Sequence, residues 1–220
     1  MANDAGGREK LLALGVRTVP VVALGEQFVF AQNLEDVAVF VGLQGSGHQL
    51  LRPDQLIGQW LKVLAAVQRY IRQVPAERID ERVIDNRDRS IRIMGHHVFR
   101  IAEAFLESVV DGVEYTTALA NAEPASGTCT NCDEITAYGG EVSVRLQGWW
   151  DGLADRSCQQ KVKTFFGMQP IHMLFERWTW HTAQHARQLI AVLERFGIEP
   201  DGRLTPADLA GLPLPEGLWE

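Results

Sequence analysis

The 220-residue sequence is short of the features that mark several large protein classes. Its three cysteines, Cys129, Cys132 and Cys158, are too few and of the wrong parity for a disulfide framework, which fits a reducing compartment. It has no apolar run of about 18 residues, so no membrane-spanning helix is expected. The opening stretch, MANDAGGREK, lacks the apolar centre of a secretory signal, and the expected location is cytoplasmic. No Lys/Arg run is interleaved with aromatics and the formal net charge is -7, so the electrostatic footprint of a nucleic-acid binder is missing. What is present is 46% hydrophobic and 22% charged residues, enough for the core of one ordinary domain plus a small extra module.

The first part, residues 1–44, reads as helix, strand, strand, helix. REKLLALG ends at a glycine, TVPVVAL and FVFA are β-rich runs split by Gly25-Glu26, and Asn33 is placed to cap LEDVAVFVGL. It is too small to hold a core alone. Beyond a Gly/Ser/His stretch from Gly45 to Gln49, Pro53-Asp54 is a favourable start for a helix through LIGQWLKVLAAVQRYIRQV. Three more helices are expected, from about Arg87 to Val110, Asp133 to Gly152, and Pro170 to Phe196, the last stopped by Gly197. The fold class is thus mainly α, a four-helix bundle over 50–197, with the polar AEPASGTCTNC segment as a surface loop. The proline-rich stretch 198–220 is expected to pack on the bundle as an ordered tail.

His181 and His185 lie four residues apart in the last helix, so both imidazoles share one face. Counting 100° per residue, Leu174, Trp178, His185, Gln188 and Val192 fall within about 60° of His181, a core-facing stripe. Two inward imidazoles without a carboxylate beside them are better explained by metal ligation than by packing. On the second long helix, Met94, His97, Val98, Ile101 and Phe105 share a face, whereas His96 sides with Arg92, Arg100 and Glu103. His97 is therefore the third candidate ligand, and His96 is expected in solvent or outside the ligand shell. Three imidazoles leave a coordination position open for water or a sulfur substrate. By spacing, Gln184, Gln188 and Arg187 are candidates for orienting ligands or an anionic substrate, and Glu103 for acid/base work.

WTWHTAQHARQLIAVL and GHHVFRIAEAF together resemble the DinB/YfiT-like superfamily over about residues 50 to 196. That resemblance implies a four-helix bundle with a three-histidine site, carried here by His97, His181 and His185. It also implies zinc or nickel, and thiol-dependent transfer, thiol-assisted isomerisation or amide hydrolysis. LLALGVRTVPVVALGEQFVFAQNLEDVAVFVGL is similar to the C-terminal half of a glutaredoxin, a half-thioredoxin-like α/β module without the redox cysteines. The likeness implies that Thr18, Val19 and Pro20 would present backbone groups to a low-molecular-weight thiol such as glutathione; a structural remnant is the alternative.

Cys129 and Cys132 form a C-x-x-C that is either a redox pair or two loop thiols, and Cys158 reads as a small core residue. The function expected is a metal-dependent thiol transferase or lyase acting on a small electrophile. The alternatives are a metal-dependent amide or ester hydrolase, and a non-catalytic metal- or small-molecule-binding protein. The partner is a small-molecule substrate, with neither nucleic acid nor membrane, and the incomplete N-terminal sheet suggests a homodimer.

Overall fold

The structure, a computed structural model, describes residues 5–16, 20–32, 34–44, 47, 49–83 and 89–218. The chain is mainly helical, with two small antiparallel sheets, and divides into two compact units, 1–49 and 50–220. No helix among the described residues is long and apolar enough to cross a membrane.

The first unit contains α1 (Ala5–Ala13), β1 (Val21–Leu24), β2 (Gln27–Phe30) and α2 (Leu34–Phe40). Gly25-Glu26 joins the strands, with Gly25 at φ 63°, a left-handed conformation that glycine adopts without steric cost. The strands pair antiparallel from Val21↔Phe30 to Leu24↔Gln27, and the Ala31 N–H donates to the Pro20 carbonyl at 2.9 Å. Leu12, Leu24, Val39 and Leu43 are exposed, while Val16 and Ala38 are buried. A two-stranded sheet with two short helices has too little surface to enclose a core. The expected cap Asn33, and Thr18 and Val19 of the expected thiol-contacting triplet, lie outside the described residues. So do Gly45, Ser46 and His48 of the Gly/Ser/His stretch.

The second unit is organised by four long helices, α3 (Pro53–Gln73), α4 (Ile91–Val110), α6 (Cys132–Gly152) and α7 (Ile171–Arg195), with the single turn α5 (Thr117–Ala120) between α4 and α6. Helix starts follow local chemistry. Pro53 occupies the first turn of α3, where its missing N–H costs nothing, and Ser90 Oγ and Asn131 Oδ1 cap α4 and α6 by accepting from Ile93 N and Glu134 N. Arg87, from which α4 was expected to begin, lies outside the described residues. Both α3 and α4 pack against α6 and α7, enclosing a core that includes Trp60, Phe99, Phe105 and Phe175. The α4–α6 approach is close because Gly139 lacks a side chain: a Cβ there would meet the Phe99 ring at 2.5 Å.

Two elements depart from an all-helical reading. Between α6 and α7, β3 (Lys161–Thr164) and β4 (Gly167–Pro170) form a hairpin, and Tyr115 joins it by donating to Lys163 O and accepting from Phe165 N. β3 alternates, with Val162 and Thr164 inward and Lys161 and Lys163 outward, but each strand is only four residues long. Further along, residues 198–218 are pinned to α3 and α7. The Leu204 N–H donates to Tyr70 Oη, Gln59 donates to Ala210 O, and Leu204 and Leu212 are buried. Trp219 and Glu220 lie outside the described residues.

Candidate metal centre

His97 on α4 meets His181 and His185 on α7, one candidate ligand nitrogen from each lying within 4.8 Å of the other two. The closest pair is His181 Nε2 and His185 Nε2, at 3.2 Å. A tetrahedral zinc with Zn–N bonds of about 2.0–2.1 Å separates neighbouring ligand atoms by roughly 3.3–3.4 Å, so this pair already has the required spacing.

The surrounding hydrogen bonds determine the tautomers. His97 Nδ1 lies 3.1 Å from the carbonyl of Ala120, which can only accept, so the proton sits on Nδ1 and the Nε2 lone pair is left for a ligand. His185 Nδ1 lies 2.8 Å from Gln188 Oε1, and Gln188 Nε2 donates to the carbonyl of Leu218 at 2.9 Å. Flipping the amide would set two oxygens 2.9 Å apart with no hydrogen between them, so Oε1 faces His185, which too carries its proton on Nδ1. His181 Nε2 then donates to His185 Nε2, and its tautomer must change when an ion arrives. Outer hydrogen bonds of this kind are what orient metal-ligating imidazoles.

The environment keeps His97 and His181 neutral. Burial, followed by the charge of His185 and Arg89, depresses His97 to about 2. Burial, followed by His185 and His97, holds His181 well below the usual imidazole value. Neutral imidazole is the form that binds a cation. Trp178 and Trp180 stand against His181 with ring centroids at 5.8 and 5.7 Å, giving the site an apolar wall.

The other residues singled out in the sequence are placed differently. Gln184 and Arg187 are engaged in holding the C-terminal segment: Gln184 Nε2 donates to Gly217 O and Leu218 O, and Arg187 Nη1 to Gln184 Oε1 and Pro215 O. Carbonyls of an irregular segment need donors, and α7 supplies them. Glu103 lies on the other face of α4 from His97. There it accepts from Tyr138 Oη, Arg100 and Arg145 at 2.6–2.8 Å. Burial works to raise its pKa, but the bonds from Tyr138 and Arg100 outweigh that and leave it lowered, so it stays ionised within a salt-bridge network. Pro20 is exposed, with its carbonyl taken by Ala31.

Of the two places expected for His96, solvent or outside the ligand shell, the structure shows the second: it stands outside the three-histidine cluster, yet it is 6% exposed and stacks on Tyr138, centroids 5.1 Å apart, because α5 and the segment after it cover that side of α4. Cys129, expected in a surface loop, is also buried, and Cys132 opens α6 with its thiol on the Val74 carbonyl. All three cysteines are free thiols. Burial pushes all three up, Cys158 to about 11, so none is an activated thiolate. Sequence reasoning missed the carbonyls of Ala120 and Leu218, since a backbone acceptor brought in by a distant segment leaves no side-chain signature. No family model matches the chain, and no curated protein matches it.

Proposed function

We propose that this chain is a divalent-metal-dependent enzyme of the DinB/YfiT-like kind. In this reading α3, α4, α6 and α7 form a four-helix bundle preceded by a half-thioredoxin-like module. His97, His181 and His185 hold zinc or nickel, and a low-molecular-weight thiol is activated for transfer to a small electrophile or for a lyase reaction on one. The observation that carries it is the convergence of three imidazoles, two with Nδ1 tied to fixed acceptors so that their Nε2 lone pairs are available.

A divalent ion among neutral ligands would keep its full charge and lower the pKa of a thiol placed on it. The chain's own part is positioning: the Ala120 carbonyl sets the His97 ring, Gln188 sets His185, and Trp178 and Trp180 wall one side of His181. The chain's cysteines stand outside the histidine cluster and are protonated, so the reading takes its thiol from solution. Pairing of two copies through the exposed edges of the β1–β2 sheet completes the proposal.

Elemental analysis of the purified protein beside His97→Ala and His181→Ala tests the metal. The expected result is about one transition-metal ion per chain, lost in both variants. Absence of metal from the wild type, even after reconstitution with zinc or nickel, overturns the reading. With metal established, turnover of small electrophiles should require added thiol; turnover without it overturns the thiol step in favour of hydrolysis.

A further inference from the structure

Beside the metal candidate, on the neighbouring face of α4, lies a second concavity of about 520 Å³. Its walls come from α4, from the segment 122–129 and from the first half of α6, and include His96, Tyr138, Glu103, Glu123, Glu134 and Glu141. We infer that this concavity is a binding site for a small organic cation bearing N–H donors, a primary ammonium or a guanidinium, independent of the three-histidine cluster.

The first observation is His96. It is more than nine-tenths buried and borders the cavity, yet neither ring nitrogen has a hydrogen-bond partner among the described residues. Its ring nitrogens are not sealed but open to the concavity, where water or a ligand completes them. A neutral imidazole has one donor and one acceptor nitrogen, so a ligand can complete the ring by donating to the acceptor. Its flat contact with Tyr138 holds the imidazole in place and adds an aromatic surface, the kind of wall that attracts cations.

The second observation is charge. Four carboxylates line the concavity, and the one cationic side chain there, Arg100, is spent on Glu103 and on Glu107 through bonds of 2.6–2.8 Å. Glu134 is held by Thr130 and Asn131, whereas Glu123 and Glu141 form no ion pair or hydrogen bond among the described residues. The cavity therefore carries unneutralised negative charge beside an unpartnered imidazole. That combination repels anions and suits a cation that donates one N–H to His96 and faces Glu123 and Glu141.

The test is calorimetric titration of the full chain with benzylammonium chloride, with benzyl alcohol as the neutral control, before and after chelation of any bound metal. Saturable binding of benzylammonium, undiminished by chelation and absent for benzyl alcohol, is expected. His96→Phe keeps the ring stack but removes the acceptor, and should weaken binding roughly tenfold, as loss of a charge-assisted hydrogen bond does. The exposed pair Glu123→Gln/Glu141→Gln should weaken it roughly three- to tenfold, in a salt-dependent way. His181→Ala should leave it unchanged. The assignment is overturned by no saturable binding, by equal binding of the alcohol, by loss of binding on chelation or in His181→Ala, or by unchanged affinity in both cavity variants.

Discussion

Gln188 holds His185 with one end of its amide and the C-terminal segment with the other, Oε1 lying 2.8 Å from His185 Nδ1 and Nε2 2.9 Å from Leu218 O. Metal affinity should therefore depend on a residue that touches no metal. Gln188→Ala frees the His185 ring, and loss of such an outer partner typically costs 10–100-fold in affinity. Chelator competition should show that weakening at unchanged stoichiometry; unaltered affinity would mean the amide does not orient the ring.

The buried histidines should make the metal-free protein acid-sensitive. Both His97 and His181 are depressed in the folded state from a reference value of 6.5, so the unfolded chain takes up protons first as pH falls. Stability is full above about 6.5 and declines below it, continuing towards about 2 for His97. Each pH unit in that window costs up to about 1.4 kcal/mol per histidine. Urea unfolding of chelated protein at pH 7.5 and 5.0 should show the drop, and His97→Phe should lessen it; a flat profile counts against neutral burial.

Gly139 is a packing requirement. Its Cβ would stand 2.5 Å from the Phe99 ring, which is 0% exposed and cannot easily retreat. Gly139→Ala should destabilise by about 1–3 kcal/mol through overpacking, despite the better helix propensity of alanine. For a chain of this size that corresponds to a fall in Tm of roughly 2–4 °C per kcal/mol, readable by thermal denaturation. A Tm at or above that of the wild type would show that α4 and α6 can part cheaply.

Tyr115 is predicted to act in the opposite direction. Its ring stacks on Trp178 at 4.6 Å, but its hydroxyl is buried without a hydrogen-bond partner among the described residues. Tyr115→Phe keeps the stack and removes the orphaned group, so stability should stay level or rise by about 1 kcal/mol. A clear loss in chemical denaturation would reveal a bound water or ligand on that oxygen.

By itself, the sequence determined the four long helices, 53–73, 91–110, 132–152 and 171–195, and which three histidines come together. Both are local: Pro53 begins a helix because it lacks an N–H, and His181 and His185 share a face because of the helical repeat. Phasing α4 separated His97 from His96, since a hydrophobic stripe shows on one strand of sequence which side turns inward. It failed for the environment of His96, because α5 and the segment 122–129 cover that side from elsewhere in the chain. The hairpin β3–β4 escaped because four-residue strands carry too short an alternation to compete with flanking helical patterns. Tertiary structure alone decided that Ala120 and Leu218 carbonyls reach the site, and that Gln184 and Arg187 serve the C-terminal segment. The physical reason is that every backbone carbonyl carries the same acceptor, so only the path of the folded chain selects which ones meet His97 and Gln188.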